Sequence, residues 1–135
     1  RYAMRIARAI KETMPVETTG QLVAAIMRAV PNQGKKYHIH PATRTFMALR
    51  IYANKELENV ETVIKNLPNV VAPGGRVAII SFHSLEDRIV KHRFRDMAKE
   101  GKITVLTKKP VIPSDEELKN NPRARSAKLR ICIVN

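Results

Sequence analysis

A short apolar stretch over residues 76–82 (RVAIISF) constrains the fold more than any other feature of this chain. Its centre is continuously apolar and lacks the alternation of a strand with one face in water. The pattern therefore predicts a β-strand that is covered on both faces. Such a strand is too apolar for the edge of a sheet, so we expect neighbours on both sides of it. One of these neighbours is expected to be encoded before Arg1.

The other patterns predict helices and two more strands. Apolar residues that recur at three- and four-residue steps predict helices over residues 2–13, 18–30, 41–67 and 85–99. Further strands are predicted over residues 102–108 and 127–134, separated by a long connection with a short helix that begins at Ser114. Strand 76–82, helix 85–99 and strand 102–108 form a βαβ step of the doubly wound kind. The last two strands are expected to pair antiparallel at one edge of the sheet.

The charge balance favours a polyanionic partner. The chain has 25 Lys and Arg against 12 Asp and Glu, a net charge of +13. The excess lies in residues 1–41 and 76–135, whereas residues 42–75 are nearly neutral, as expected of a segment that mainly packs. Such an excess favours RNA or DNA through contacts with phosphates. A purely helical DNA-binding protein is disfavoured, because an apolar strand has no place in a simple helix-turn-helix.

Compartment and context follow from smaller features. No apolar run is long enough to span a bilayer, so no membrane partner is expected. The lone Cys132 cannot form an internal disulfide, which favours a reducing, cytoplasmic location. Because it lies in an apolar run, we expect a buried, inert thiol. The first residue, Arg1, falls inside an amphipathic helix, and this start predicts that sequence is missing upstream.

Three blocks of sequence are distinctive: HPATRTFMALRIYANKELE (40–58), APGGRVAIISFHSLEDRIVKHRFR (72–95) and KKPVIPSDEELKNNPRARSAKLR (108–130). They resemble the bacterial 16S ribosomal RNA cytosine-N4 methyltransferase family, of the MraW type. The segments RIARAI (5–10) and ETTGQLV (17–23) resemble the helical domain inserted in that family. The resemblance covers essentially the whole chain.

The resemblance implies an α/β fold, namely the C-terminal part of a class I (Rossmann-like) methyltransferase with helices of an inserted substrate-recognition domain. Residues 1–41 would belong to the helical insertion and residues 42–135 to the C-terminal half of the methyltransferase domain. The implied reaction transfers a methyl group from S-adenosylmethionine to the exocyclic N4 amine of a cytidine in small-subunit ribosomal RNA.

The family holds S-adenosylmethionine in its N-terminal half, through a GGHS-type loop, an acidic residue and a DLG-type segment, and this chain contains none of these. Gly74 and Gly75 form the turn before strand 76–82, so we do not assign them to the donor. No cofactor-binding residue is therefore expected here. The chain should depend on the missing N-terminal half of the same protein and should be inactive alone.

The chemistry is expected where strand 76–82 ends, because ligands of open α/β sheets bind at the carboxyl ends of the strands. His83 and Ser84 are the candidate catalytic residues there, His83 as an acceptor of a hydrogen bond or proton. The adjacent Phe82 could stack on a base. The alternatives are structural: Ser84 with Asp87 would cap the next helix, and His83 would satisfy a backbone group. No general base and no metal site is predicted.

RNA contacts are predicted in three segments. The strongest is the loop before the last strand, where cations, an amide and a hydroxyl are hard to explain by packing. Its candidates are Asn121, Arg123, Arg125, Ser126 and Lys128. The second is the start of the long helix, which suits a phosphate, and the third is a basic loop with one aromatic ring. The candidates at the start of the long helix are His40, Thr43 and Arg44. The candidates in the basic loop are Lys35, Lys36 and Tyr37. The alternatives are a solvated basic surface and a helix cap formed by His40.

A second class of function stays open. The same basic loops fit a non-catalytic RNA-binding or ribosome-associated module. Sequence upstream separates the two: a strand followed by a glycine-rich donor loop favours the enzyme, and a native start near Tyr2 favours the module. The sequence does not determine the oligomeric state, and a homodimer is one of the states that it allows.

Overall fold

The computed structural model describes residues 2–30 and 40–135. The chain forms two compact units, Arg1–Asn54 and Lys55–Asn135. The first unit contains helices α1 (Ala3–Thr13), α2 (Thr19–Ala29) and α3 (Thr43–Ala53). The second contains α4 (Glu56–Val70), β1 (Arg76–Ser81), α5 (Ser84–Lys99), β2 (Ile103–Val105), α6 (Asp115–Asn120), a 3₁₀ helix (Pro122–Ser126) and β3 (Lys128–Val134). The predicted α/β class is confirmed. The Rossmann-like arrangement stays a prediction.

Helices α1 and α2 pack against each other in the first unit. The predicted capping box of α2 is present: the Gln21 amide donates to Thr18 Oγ1 at 3.2 Å, and the Thr18 amide donates to Gln21 Oε1 at 3.1 Å. These reciprocal bonds satisfy backbone N–H groups that a helix start otherwise leaves unpaired. Further along α2, Ala25, Ile26 and Ala29 are buried. The interaction of the two helices therefore depends on one small apolar face.

The prediction of one continuous helix over residues 41–67 is wrong. The helix stops at Ala53 and a new one starts at Glu56, because Lys55 adopts a left-handed conformation (φ 51°, ψ 36°) that cannot continue an α-helix. The apolar periodicity runs on across this break, which hid it in the sequence. The units divide at Asn54, later than the boundary predicted after Pro41. The assignment of the two parts to an insertion and a methyltransferase domain stays a prediction.

The predicted helix over residues 41–67 ends just before Pro68, whereas α4 continues through this proline to Val70. The backbone φ that a proline ring imposes is compatible with helix, and near a helix end only one hydrogen bond is lost. The amide of Val71 still donates to Leu67 O at 3.0 Å. The last turn of α4 therefore forms around the proline.

The three strands form one sheet in the order β1-β3-β2, with β3 antiparallel to both neighbours. The predicted antiparallel pairing of the last two strands is confirmed. However, β3 lies in the centre of this sheet, so the pair does not simply extend one edge. Strands β1 and β2 run parallel to each other on either side of β3. Helix α5 connects them, as the predicted βαβ step requires.

Strand β1 lies at an edge of the described sheet. Within the described residues only one of its faces is covered and only one of its edges is paired, so the expectation of cover on both faces and neighbours on both sides stays a prediction. Val77 and Ile79 pack against the core, while Ala78 and Ile80 on the other face are exposed, Ile80 by 57%. The reason is that helices α4 and α5 cover only one face of the sheet. The continuous apolar pattern of β1 therefore includes apolar residues, Ala78 and Ile80, on a face that the described residues leave exposed.

The core of the second unit lies between these two helices and the sheet. It is built from eight buried residues: Ile64, Leu67, Val90, Phe94, Met97, Ile103, Cys132 and Val134. Cys132 is buried, as predicted, and this burial raises the pKa of its thiol above the ordinary value of 9.0. Among residues 2–30 and 40–135, no helix has both the length and the apolar character to cross a bilayer.

Candidate functional site

His83 lies between the end of β1 and the start of α5, and it is the N-cap of that helix. Its Nδ1 accepts a hydrogen bond from the Glu86 amide at 3.3 Å. The expectation that Ser84 caps the helix is wrong, because Ser84 is already the first helical residue. The second structural role considered for this segment is the one observed: His83 satisfies a backbone N–H group, that of Glu86. The cap fixes the imidazole at the carboxyl end of β1.

The other ring nitrogen of His83 faces two carboxylates. Nε2 lies 3.4 Å from Glu86 Oε1 and 4.0 Å from Glu56 Oε2, and the side chain is only 10% exposed. Within the described part of the chain Nε2 has no well-formed hydrogen bond. Since Nδ1 accepts the cap bond, the proton of a neutral ring is on Nε2. The arrangement is a buried N–H donor beside two acceptors.

Glu56, His83 and Glu86 have the residue types of a metal site, and their ligand atoms lie within 4.8 Å of one another. Coordination by Nε2 would require its proton to move to Nδ1, where it would oppose the Glu86 amide that now donates to that atom. A cation bound to Nε2 would therefore break the helix cap. The geometry therefore suits a hydrogen-bonding ligand, such as an amine or hydroxyl, better than a metal ion.

The residues beside His83 differ in accessibility. Phe82 is exposed, and its amide donates to Glu86 Oε2 at 3.0 Å. This bond holds the backbone next to an aromatic ring that is open to a ligand. Ser84 is also exposed, whereas Ser81 is buried and its Oγ has no partner among the residues that the structure describes. The end of β1 thus combines a stacking surface with polar groups.

Asp87, in the first turn of α5, binds two cations of β3. Its Oδ1 accepts from Arg130 Nε at 2.7 Å, and its Oδ2 accepts from Lys128 Nζ at 3.4 Å. The hydrogen bond from Arg130 lowers the pKa of the Asp87 carboxyl below its ordinary value of 3.8, and the positive charges of Arg130 and Lys128 add to this effect. These bonds attach the start of α5 to β3.

The same contacts bring the predicted RNA loop to the end of β1. Lys128 pairs with Ser81 in the β1–β3 register, and it directly follows the 3₁₀ helix. Within that helix Ala124 is buried and acts as an anchor, while its neighbours are exposed. The exposed candidates are Asn121, Arg123, Arg125 and Ser126. The structure therefore places two predicted sites, around His83 and in the loop, at one end of the sheet.

The remaining candidates belong to the first unit or lie outside the described residues. His40, Thr43 and Arg44 are exposed in the first unit, and His40 Nδ1 accepts from the Ala42 amide at 3.2 Å. His40 thus makes a local bond at the start of α3, although the helix N-cap is Ala42. The candidates Lys35, Lys36 and Tyr37 lie outside the described residues.

The glycine pair before β1 does not fit S-adenosylmethionine. The Gly74 amide donates to Val134 O at 2.7 Å, and the Val134 amide donates to Gly75 O at 3.0 Å. A side chain at Gly75 would collide with Val71 and would lie 2.8 Å from Ala72 O. The backbone groups of this turn are therefore engaged by β3, and the missing side chain makes room for the turn itself.

Comparison with known proteins identifies the family of this fold. The family model described as the MraW methylase family matches residues 1–134, almost the entire chain. This chain belongs to the MraW methylase family. The resemblance carried by the HPATRTF, SFHSLEDR and NPRARSAKLR segments is thereby confirmed.

Several curated relatives carry the name ribosomal RNA small subunit methyltransferase H. The protein of Nostoc sp. strain PCC 7120 is 55% identical over 131 residues, which are 97% of this chain and 42% of the relative. That of Synechococcus elongatus is 53% identical over 97% of this chain and 43% of its own length. That of Kosmotoga olearia is 56% identical over 96% of this chain and 44% of its own length. This MraW family chain spans less than half of each of these relatives.

Two carboxylates of the site, Glu56 and Glu86, were not singled out in the sequence. Glu86 carried a signal, because its place three residues after His83 is the N3 position of a helix that His83 caps. Glu56 carried none. It lies far from His83 in sequence and, before the break at Lys55 was known, it was assigned to the middle of a helix.

Proposed function

We propose that this chain forms the RNA-facing part of an S-adenosylmethionine-dependent methyltransferase that modifies the exocyclic N4 amine of a cytidine in small-subunit ribosomal RNA. The observation that carries the proposal is the match of 97% of this chain, at 55% identity, to a ribosomal RNA small subunit methyltransferase. The placement of the polar cluster of Glu56, His83 and Glu86 and of a basic loop at one end of the sheet supports it.

At the end of β1, the target base would stack on Phe82, whose side chain is exposed next to His83 in the sequence. The carboxylates of Glu56 and Glu86 would accept hydrogen bonds from an amine, and the N–H at Nε2 of His83 would donate to a carbonyl oxygen. A cytosine offers both groups. Methyl transfer requires the amine nitrogen to be held in line with the methyl group, so positioning is the main contribution of these residues. Ser84 would assist through its exposed hydroxyl.

The RNA strand would be held by the basic segments. In the second unit these are the predicted contacts of the loop before β3: Asn121, Arg123, Arg125, Ser126 and Lys128. His40, Thr43 and Arg44 would contribute from the first unit, and Lys35, Lys36 and Tyr37 from the segment that the structure does not describe. Phosphate contacts set the register of an RNA, and contacts with an unstacked base supply its specificity.

S-adenosylmethionine would supply the electrophilic methyl group, and we assign its site to the part of the family protein that this chain does not span. The glycine turn before β1 is occupied by its own backbone contacts, so the proposal includes no donor contact from this chain. We accordingly expect the chain alone to be inactive. The proposed location is the cytoplasm. The proposed partners are ribosomal RNA and the N-terminal part of the same protein.

A chimera tests this proposal. The 131 residues of the Nostoc relative that match this chain are replaced by the corresponding residues of this chain, and purified chimera is incubated with small ribosomal subunits and labelled S-adenosylmethionine. We expect transfer of one methyl group to a cytidine N4, located by mass spectrometry of RNA digests. The Nostoc protein without the matching segment is the control and should be inactive.

Two outcomes would contradict the proposal. A folded chimera that binds S-adenosylmethionine and leaves the ribosomal RNA unmodified would refute the catalytic role, and a non-catalytic RNA-binding module would then be the better description. A methyl group on another atom would refute the assignment of the N4 amine. The isolated chain provides a further check, since saturable uptake of S-adenosylmethionine by it would overturn the assignment of the donor site.

A further inference from the structure

A cleft of about 480 Å³ lies between helix α5 and strands β2 and β3, outside the site around His83. Its apolar floor includes the half-buried Ala98 and Val105, with the core residue Phe94 beside them, and the exposed Lys108 also lines it. Of the described residues that line it, five are Lys or Arg and none is acidic. The cleft therefore combines an apolar base with a strongly positive rim.

The cations of α5 line the cleft in a row. Lys91, Arg95 and Lys99 follow one another at steps of four residues, which places them on one side of the helix. All three are exposed. Lys91 and Lys99 are separated by about 12 Å along the helix axis, from a rise of about 1.5 Å per residue. One phosphate cannot reach both, whereas a chain of phosphates can.

Not every cation of the cleft is available to a ligand. The charge of Arg130 is compensated by Asp87 at 2.7 Å, and Arg95 lies 3.4 Å from Asp96. Lys91, Lys99 and Lys108, in contrast, have no ion-pair partner in residues 2–30 and 40–135. These three lysines are therefore the net positive charge of the cleft, and we call them the cleft lysines.

We propose that this cleft binds a single-stranded segment of RNA, with successive phosphates on the cleft lysines and the sugars or bases over the apolar floor. A positive groove with an apolar base is the usual combination for single strands. The cleft would continue the RNA path from the loop before β3, because Asp87 links Lys128 to Arg130 at the cleft. The identity of the polyanion as RNA rests on the proposed function.

The test is the salt dependence of RNA binding by the whole 135-residue chain. A labelled single-stranded RNA is titrated at several salt concentrations, with the wild type and with a Lys91→Gln, Lys99→Gln, Lys108→Gln variant. Each neutralised phosphate contributes about 0.7 to the slope of log K against log salt for single strands. We expect the slope of the triple variant to be shallower by about 2.

The matched control carries Lys11→Gln, Lys65→Gln and Arg76→Gln, which removes the same charge from exposed positions outside the cleft. Its slope should stay close to that of the wild type. Equal changes in both variants would overturn the inference, because the cleft lysines would then act only through net charge. If the wild type binds RNA and the cleft variant has the same slope, the inference is also overturned. The proposed function would then remain intact. Absence of any RNA binding by the wild type would overturn both.

A second measurement does not depend on variants. RNA should protect the cleft lysines of the wild type from chemical acetylation, as read by mass spectrometry, while Lys65 stays reactive. Equal reactivity of all these lysines with and without RNA would contradict the inference even if the triple variant failed to fold.

Discussion

The guanidinium of Arg130 on the central strand β3 binds the carboxylate of Asp87 in the first turn of α5, with 2.7 Å between Nε and Oδ1. A second bond joins Nη2 to Oδ2 at 3.3 Å. The two side chains are only 7% and 12% exposed. The pair therefore joins the central strand to the start of the helix at the candidate site through two nearly buried hydrogen bonds.

Removal of one partner of this pair should be costly. In an Asp87→Ala variant, Arg130 would keep a buried charge without its carboxylate, and breaking a buried pair in this way costs about 3–5 kcal/mol. Urea denaturation measures the change in the free energy of unfolding. The control is Glu61→Ala, which breaks the exposed Arg93–Glu61 pair at 3.1 Å and should cost about 1 kcal/mol or less. Equal costs would show that burial of the Asp87 pair is unimportant.

The same pair predicts a loss of stability in acid. The pKa of Asp87 in the folded chain lies below the ordinary value of 3.8, chiefly because of the Arg130 hydrogen bond. Its contribution is therefore complete above the pKa of the unfolded chain and is lost as the pH falls through the pKa of the folded one. Between about pH 5 and about pH 2, the urea midpoint of an Asp87→Asn variant should fall less than that of the wild type. A parallel fall in both proteins would contradict the assignment.

Much of the local structure of this chain was predictable, because it depends on neighbours in sequence. The capping box at Thr18, the cap at Ser114 and the apolar strand before Phe82 are examples. The break at Lys55 was not predictable, since one residue in a left-handed conformation leaves the apolar periodicity unchanged. The order of the strands was not predictable either. It depends on which strand reaches the centre of the sheet, and the apolar patterns of β1 and β3 do not distinguish them.

The candidate site shows the same division. The placement of His83 at the end of a strand followed from the order of the elements, and so did the basic loop. The proximity of Glu56 to His83 did not, because it arises from the packing of α4 against α5. The pairing of Asp87 with Arg130 is likewise a contact between distant segments.

The two roles of His83 can be separated by substitution. His83→Ala should lose the cap of α5, at a cost of about 0.5–2 kcal/mol in the free energy of unfolding. His83→Asn should retain most of that stability, because asparagine is a good N-cap residue. In the Nostoc chimera both variants should lose methyl transfer, since both lack Nε2. Full activity of His83→Asn would show that the imidazole only caps the helix.

The loop before β3 should contribute to RNA affinity through its arginines. Arg123→Gln and Arg125→Gln are each expected to weaken binding of small-subunit RNA and to make the salt slope shallower by about 0.7 if that segment is single-stranded. Both residues are exposed, so the urea midpoint should not change. Lys65→Gln on α4 is the matched control. The loop assignment would be refuted if all three variants bound RNA with the same slope.

The glycines of the chain should differ in their tolerance of a methyl group. Gly75→Ala places a Cβ against Val71 and 2.8 Å from Ala72 O, and such overpacking costs about 1–3 kcal/mol. Gly20→Ala in α2 should instead stabilise the chain by about 0.5–1 kcal/mol, because the nearest atom would be 3.9 Å away. Thermal denaturation of both variants checks the contrast. Stabilisation by Gly75→Ala would contradict the account of the turn.

The central position of β3 has a consequence for synthesis of the protein. Arg76 pairs with Ile133 and Ile103 pairs with Val134, so both outer strands are translated before the strand that joins them. Until residues 128–134 emerge from the ribosome, the apolar β1 ribbon has no hydrogen-bonding partner in the described sheet. Nascent chains stalled before that point would expose this ribbon, and unpaired strands are prone to associate with one another.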